Sequence, residues 1–156
     1  MRKGMLLVAV FGLAGSLWAA DPAVGTWRLN IAKSKFAPST QAAIKTLTLV
    51  IQETGDQSET TVTGTRADGS PISEKFTFPL QGGVWKYQQG GFAEGVSGIG
   101  TRIDADTVIF TTIQNGKQIE MEQCVVSKDD KTMNCTAKGT DAKGKPFEGL
   151  TVYDKQ

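Results

Sequence analysis

The chain is predicted to be all-β, a single antiparallel up-and-down β-barrel of about 8–10 strands. Three observations lead there. Short runs with alternating apolar and polar residues recur along the chain, each followed by a turn signal such as Gly55-Asp56, Ala67-Asp68-Gly69-Ser70 or Asn115-Gly116. No segment sustains a helical period over three turns. The links between runs are short, so consecutive strands become antiparallel neighbours, and closing such a meander removes both sheet edges.

Residues 1–20 are set apart from the fold. Arg2 and Lys3 precede an apolar run from Met5 to Leu17, and Ala19-Ala20 supplies small residues before Asp21-Pro22. That is the layout of a secretory signal peptide, and the run is short for a membrane span. Trp18 sits poorly for cleavage after Ala20, so cleavage after Ala19 stays open. No cysteine stands at the cleavage point, which argues against a lipid anchor. The remaining residues, 21–156, are expected to form one β-barrel domain, and a periplasmic or secreted protein is expected. Without Arg2 and Lys3 the 17 basic residues become 15 against 16 acidic ones, a net charge of −1. A near-neutral chain without basic runs offers no footprint for nucleic acid.

The first strand is Val24-Gly25-Thr26-Trp27-Arg28-Leu29-Asn30, short and apolar around a Gly-x-Trp. Asn30 to Ser39 is expected to hold a single helical turn, with Phe36 packing down and Pro38 ending it. Ile44 to Gln52 places Leu47, Leu49 and Ile51 on one face. Glu59 to Arg66 is threonine-rich around Val62. Ile72 to Phe78 puts Ile72, Phe76 and Phe78 opposite Ser73, Lys75 and Thr77, with Glu74 the exception on the apolar side. Trp85 and Tyr87 share a face of Val84 to Tyr87. Thr107 to Ile113 is apolar on both faces until Asn115-Gly116, the strongest hairpin signal in the chain. Gln118 to Val126 and Thr132 to Lys138 form a hairpin that carries both cysteines, and Phe147 to Asp154 is the last strand. The strands' second faces carry lysine, threonine and glutamate in place of a lipid-facing apolar band, so a membrane-spanning barrel is not expected.

The two cysteines depend on the register set at Lys128-Asp129-Asp130-Lys131. A two-residue loop at Asp129-Asp130 makes paired positions sum to 259, and Cys124 faces Cys135. A three-residue loop makes the sum 258; Val125, Gln123 and Met121 then face Met133, Cys135 and Ala137, a better apolar match that parts the thiols. An oxidising compartment weighs toward the disulfide, and patterning weighs against it. Two cysteines alone do not make a metal site, and none is expected.

From Gly82 to Gly100 there are seven glycines, at 82, 83, 90, 91, 95, 98 and 100. Glycine in strands marks bulges, bends or close backbone approach. The stretch reads as a flap over a barrel mouth, a sharp corner beside a ligand, or an irregular loop. It lacks the Gly-x-Gly-x-x-Gly spacing, the lysine and the following helix of a phosphate loop.

Gly25-Thr26-Trp27-Arg28-Leu29 resembles the Gly-x-Trp opening of lipocalins and the Gly-Thr-Trp-basic-Leu opening of fatty-acid-binding proteins. Val152-Tyr153-Asp154-Lys155 is similar to the close of the latter. Both point to the calycin superfamily, and the whole resembles small exported bacterial lipocalin-like proteins. The resemblance implies a closed barrel over a small apolar ligand, with Gly25 and Trp27 structural. Departures limit what carries over. Where fatty-acid-binding proteins hold the ligand carboxylate with an arginine, this chain has Thr151, and the span from Asn30 to Ile44 is too short for their helical lid. Those proteins are also cytosolic. Lipocalins pack a late arginine on the Gly-x-Trp ring; the last arginine here is Arg102.

Candidate ligand-binding residues are Phe76, Phe78, Trp85, Tyr87, Arg102, Phe110 and Tyr153, because apolar ligands are held by aromatic and aliphatic walls. Phe147 belongs to the same set of aromatics. The same side chains can instead fill a solid barrel. Inward charges at Glu74 and Arg102 need a partner: a ligand, each other, or solvent reached through a bulge. The chain has no histidine, which excludes Ser-His-acid and Cys-His nucleophile systems. A carboxylate pair among Glu74, Glu94, Asp104 and Asp106 remains for glycoside-type hydrolysis, but nothing in their spacing selects one. The leading expectation is a monomeric, non-enzymatic exported barrel, without cofactor, that binds a small apolar or amphipathic ligand. The alternative is a solid-cored envelope interaction module using Gly82–Gly100 and the nearby loops.

Overall fold

The computed structural model describes residues 21–36, 44–91, 94–141 and 143–156; the leader segment 1–20 lies outside them. Alternation along the chain becomes eleven strands: β1 (Gly25–Leu29), β2 (Ile44–Thr54), β3 (Gln57–Arg66), β4 (Pro71–Pro79), β5 (Gly83–Val84), β6 (Lys86–Gln89), β7 (Val96–Arg102), β8 (Thr107–Gln114), β9 (Lys117–Val126), β10 (Thr132–Thr140) and β11 (Pro146–Lys155). They form one antiparallel sheet in the order β5-β7-β8-β9-β10-β11-β1-β2-β3-β4-β6. This is an up-and-down meander in which the first and last long strands pair, Trp27 opposite Lys155 and Leu29 opposite Tyr153.

The sheet closes through a single run of chain. Residues 83–84 pair with β7, at Gly83–Gly100 and Val84–Ile99. After Trp85, whose N–H donates to Gly98 O at 2.9 Å, the chain crosses to β4, with Tyr87 opposite Phe76 and Lys86 opposite Thr77. β5 and β6 are thus two halves of one strand that bridges the two ends of the sheet. The barrel is nearly closed.

The glycine-rich stretch corrects the flap and loop readings, because much of it is strand. Val96–Arg102 pairs with β8 along its whole length. Gly100 shows why glycine is there: a Cβ at that position would lie 2.7 Å from Phe78 Cδ2, so the Phe78 ring occupies the space the side chain gives up. Asn115 and Gly116, with φ of 50° and 78°, make the β8–β9 turn, as an Asn-Gly hairpin requires.

Asn30–Ser34 closes one turn, with Ser34 N–H donating to Asn30 O at 3.1 Å, but Lys35 then bridges Leu150 in an extended contact. The single helical turn therefore ends early, held along the edge of β11, where Val152 N–H donates to Ser34 Oγ at 3.0 Å. Phe36 is half-buried; the rest of that expectation, 37–39, lies outside the described residues.

Trp27 is fully buried and anchors a core with Leu47, Val62, Ile72, Cys124, Val126, Met133, Cys135 and Tyr153. Its indole N–H donates to Ala23 O at 2.7 Å, which folds the segment before β1 across the end of the barrel. The Lys155 ammonium lies 5.0 Å from the ring centroid and donates to Pro22 O at 3.0 Å. A lysine thus takes the place over the tryptophan where an arginine was sought. Gly25 leaves room for it, since a Cβ there would sit 2.9 Å from Lys155 Cε.

Candidate functional site

The barrel interior holds a cavity of about 250 Å³. Its walls follow from the pairing registers. Phe76 and Phe78 point inward from β4, Trp85 and Tyr87 from the bridging run, and Phe110 from β8. These rings form one continuous surface. Phe76 stacks on Trp85 at 5.0 Å, Phe110 meets Trp85 edge-on at 5.1 Å, and Phe78 meets Phe110 edge-on at 5.5 Å. Tyr87 lies 5.5 Å from Phe76. Offset and edge-on contacts of this kind add to area burial and fix ring orientation. The facing wall comes from β9, β10 and β11: Glu122, Cys124, Val126, Met133, Cys135 and Tyr153.

All seven candidate ligand-binding residues line this cavity. Phe147 does not; it packs over Gly139. Burial raises the Tyr87 phenol, with help from Glu74, to about 12, and burial raises the Tyr153 phenol as well. Both therefore stay neutral hydrogen-bonding groups.

Arg102 differs from the sequence expectations. It neither pairs with Glu74 nor turns to solvent. It lines the cavity and its Nη2 meets Asp21 Oδ2 at 2.5 Å. Glu53 shares this corner. Its carboxyl is raised by burial first, then by a hydrogen bond and repulsion from Asp21, with Arg102 pulling the other way. Together with the Ala23 carbonyl on Trp27, this ion pair closes one end of the barrel. Glu74 keeps its place on the cavity side of β4. Asp104 and Asp106 stand in the turn after β7, and Asp106 lines the same cavity as Glu74. Glu94 lies in the turn before β7.

Cys124 and Cys135 are disulfide-bonded across β9 and β10. The ladder sums to 259, with Val126 opposite Met133 and Glu122 opposite Ala137. The segment between β9 and β10 spans five residues, 127–131, and Asp130 takes a φ of 55°. This register has a consequence the sequence reading missed: it turns Glu122 into the cavity and sends Met121 outside, where it is 37% exposed. The side chain of Glu122 keeps intermediate accessibility, and that surface belongs to the cavity wall. Burial, and then repulsion from Glu120, push its carboxyl up to about 7; burial also raises Glu120. Ligand atoms of Glu122, Cys124 and Cys135 lie within 4.8 Å of one another. With the two sulfurs bonded to each other, the set has no thiolate for a cation.

No family model matches the chain, and no curated protein does. Among solved structures, an S-type phycobiliprotein lyase from Guillardia theta superposes with a TM-score of 0.59 at 12% identity, covering 86% of this chain and 89% of that one. A redesigned β-barrel, mFAP1, bound to DFHBI, gives 0.44 at 15% identity over 86% of this chain and 95% of its own. The siderocalin Ex-FABP gives 0.40 at 11%, over 86% and 71%. The first of these, with the register above, defines the class: the chain shares the antiparallel β-barrel fold of that lyase. At such identity the likeness speaks to fold alone.

Proposed function

We propose that the protein is an exported carrier that holds a small amphipathic ligand inside the barrel. The observation that carries the reading is the cavity of about 250 Å³ between an aromatic wall and a wall with a few polar groups. Ligand sites are built this way, with apolar lining for affinity and sparse polar groups for orientation. A solid-cored interaction module would need those rings to fill the interior, and the cavity argues against it. Export is supported by the Arg2-Lys3 and Met5–Leu17 layout and by a disulfide that persists in oxidising compartments. A monomer that spans no membrane fits the outward faces, where Thr61, Thr63, Lys75 and Thr77 alternate with the cavity side chains.

Titration with N-phenyl-1-naphthylamine, a neutral dye that brightens in apolar surroundings, tests the carrier. Saturable one-to-one binding is expected, and it should be lost when the cavity is filled by Thr60→Phe or Val108→Phe, with folding checked by circular dichroism. Absence of saturable binding, or binding untouched by both folded variants, overturns it. Fractionation and intact mass test export: a product lacking 19 or 20 residues outside the cytoplasm is expected, and a full-length cytoplasmic product contradicts it.

A further inference from the structure

We propose that the ligand is a cation, an amphipathic organic amine whose body packs on Phe76, Trp85 and Phe110 and whose ammonium group meets the Glu122 carboxylate. This rests on the carrier reading above and names the chemistry of its ligand.

Charge balance inside the cavity comes first. Glu74, Asp106 and Glu122 are its acidic lining residues, and Arg102 is the basic one among the described residues. Arg102 is occupied by Asp21. No described hydrogen bond or ion pair reaches the Glu122 carboxylate; what acts on it is burial and the like charge of Glu120. A buried carboxylate held this way is costly when ionised and gains most from a cation brought to it.

The second argument is position. Glu122 stands directly opposite Phe110 across the β8–β9 ladder, and facing side chains in such a pair are within reach of each other. Phe110 in turn meets Trp85 edge-on, and Trp85 stacks on Phe76. A carboxylate at the edge of an aromatic surface is the arrangement that recognises ammonium groups, because ring faces attract cations where water is excluded. An anionic head group would instead meet the acidic lining, with Arg102, the guanidinium of the cavity among the described residues, already paired to Asp21.

The cation also fixes a pH dependence. The groups that act on Glu122 are Glu120 on its own strand and Tyr153 from β11; Glu74 on β4 and Asp106 are the other acidic residues of the lining. Phe110 on β8 and Ala137 on β10 bring no charge. Ionised Glu122 is the binding form, so amine affinity should rise between pH 5.5 and pH 8.

Isothermal titration with three ligands of one shape tests this: 2-(2-naphthyl)ethylamine, 2-naphthaleneethanol and 2-naphthylacetate. The amine is expected to bind about ten-fold tighter than the alcohol at pH 8, the acid weakest. In Glu122→Gln, checked for an unchanged fold, the amine should fall to the level of the alcohol. Equal binding of amine and alcohol, tightest binding of the acid, or an amine preference that survives Glu122→Gln or stays flat from pH 5.5 to pH 8 overturns the inference and leaves the carrier standing. No saturable binding by any of the three overturns both.

Discussion

One side of the cavity is built from β9, β10, β11 and β1, whose ladders run in uninterrupted register from strand to strand and are stapled by Cys124–Cys135. The other side is a seam. There β4 and β7 do not pair with each other along their length; a short run of chain pairs first with one and then with the other, and the β4–β6 ladder slips register at Lys75/Phe76. The continuous wall carries Trp27 and the Glu122 carboxylate. The seam carries four of the rings and the glycines that admit them. A barrel can therefore be rigid in one half and shaped around large side chains in the other, with ring stacking in the seam taking over part of what hydrogen-bond ladders do elsewhere.

This contrast can be broken on either side. The largest effect is expected from the staple. Cys124→Ser with Cys135→Ser should cost about 3 kcal/mol in urea unfolding, since a closed loop of this size chiefly restrains the unfolded chain. A loss below about 1 kcal/mol would mean that the ladder holds this wall without it.

The next effect comes from Glu122 on the same wall. Its folded carboxyl is raised from 4.5 to about 7, so the folded state keeps a proton that the unfolded chain releases. Stability from this group is full below the unfolded value and is lost as pH rises from about 4.5 through about 7, a drop of roughly 3 kcal/mol. Glu122→Gln should flatten that slope and raise stability at pH 8. Unfolding midpoints at pH 5 and pH 8 for both proteins check it, and parallel slopes would contradict the buried carboxylate.

On the seam, Gly100→Ala should cost roughly 1–2 kcal/mol, because the added methyl meets the Phe78 ring. Phe78→Leu in the same chain should recover part of the loss. Additive effects would place the two residues apart.

Much of the fold was legible because alternation and turn residues are local. Leu47, Leu49 and Ile51 could be assigned to one face from spacing, and Asn115-Gly116 named its hairpin. β7 escaped because Gly98 and Gly100 erase the apolar beat; the space at Gly100 is taken by Phe78, a contact made across the seam between β7 and β4. Lys155 escaped because its aliphatic stem and ammonium do over Trp27 what an arginine was expected to do. The cavity aromatics could be read as a group, since they alternate within their strands. Glu122 could not. Met121, Gln123 and Val125 form the more apolar face of β9, and spacing alone points them inward. The observed 259 register reverses that choice, so one turn decided whether a carboxylate entered the cavity.

The two tryptophans of the barrel domain separate these halves in one measurement. With ¹⁵N-labelled protein, each indole N–H gives its own NMR signal: Trp85 on the cavity wall, Trp27 bonded to Ala23 O at the closed end. Titrated with 2-naphthaleneethanol, the Trp85 signal should move and saturate while the Trp27 signal stays near its free position. Saturable binding that leaves Trp85 unmoved, or that moves Trp27 alone, would contradict a ligand held against the aromatic wall of the barrel.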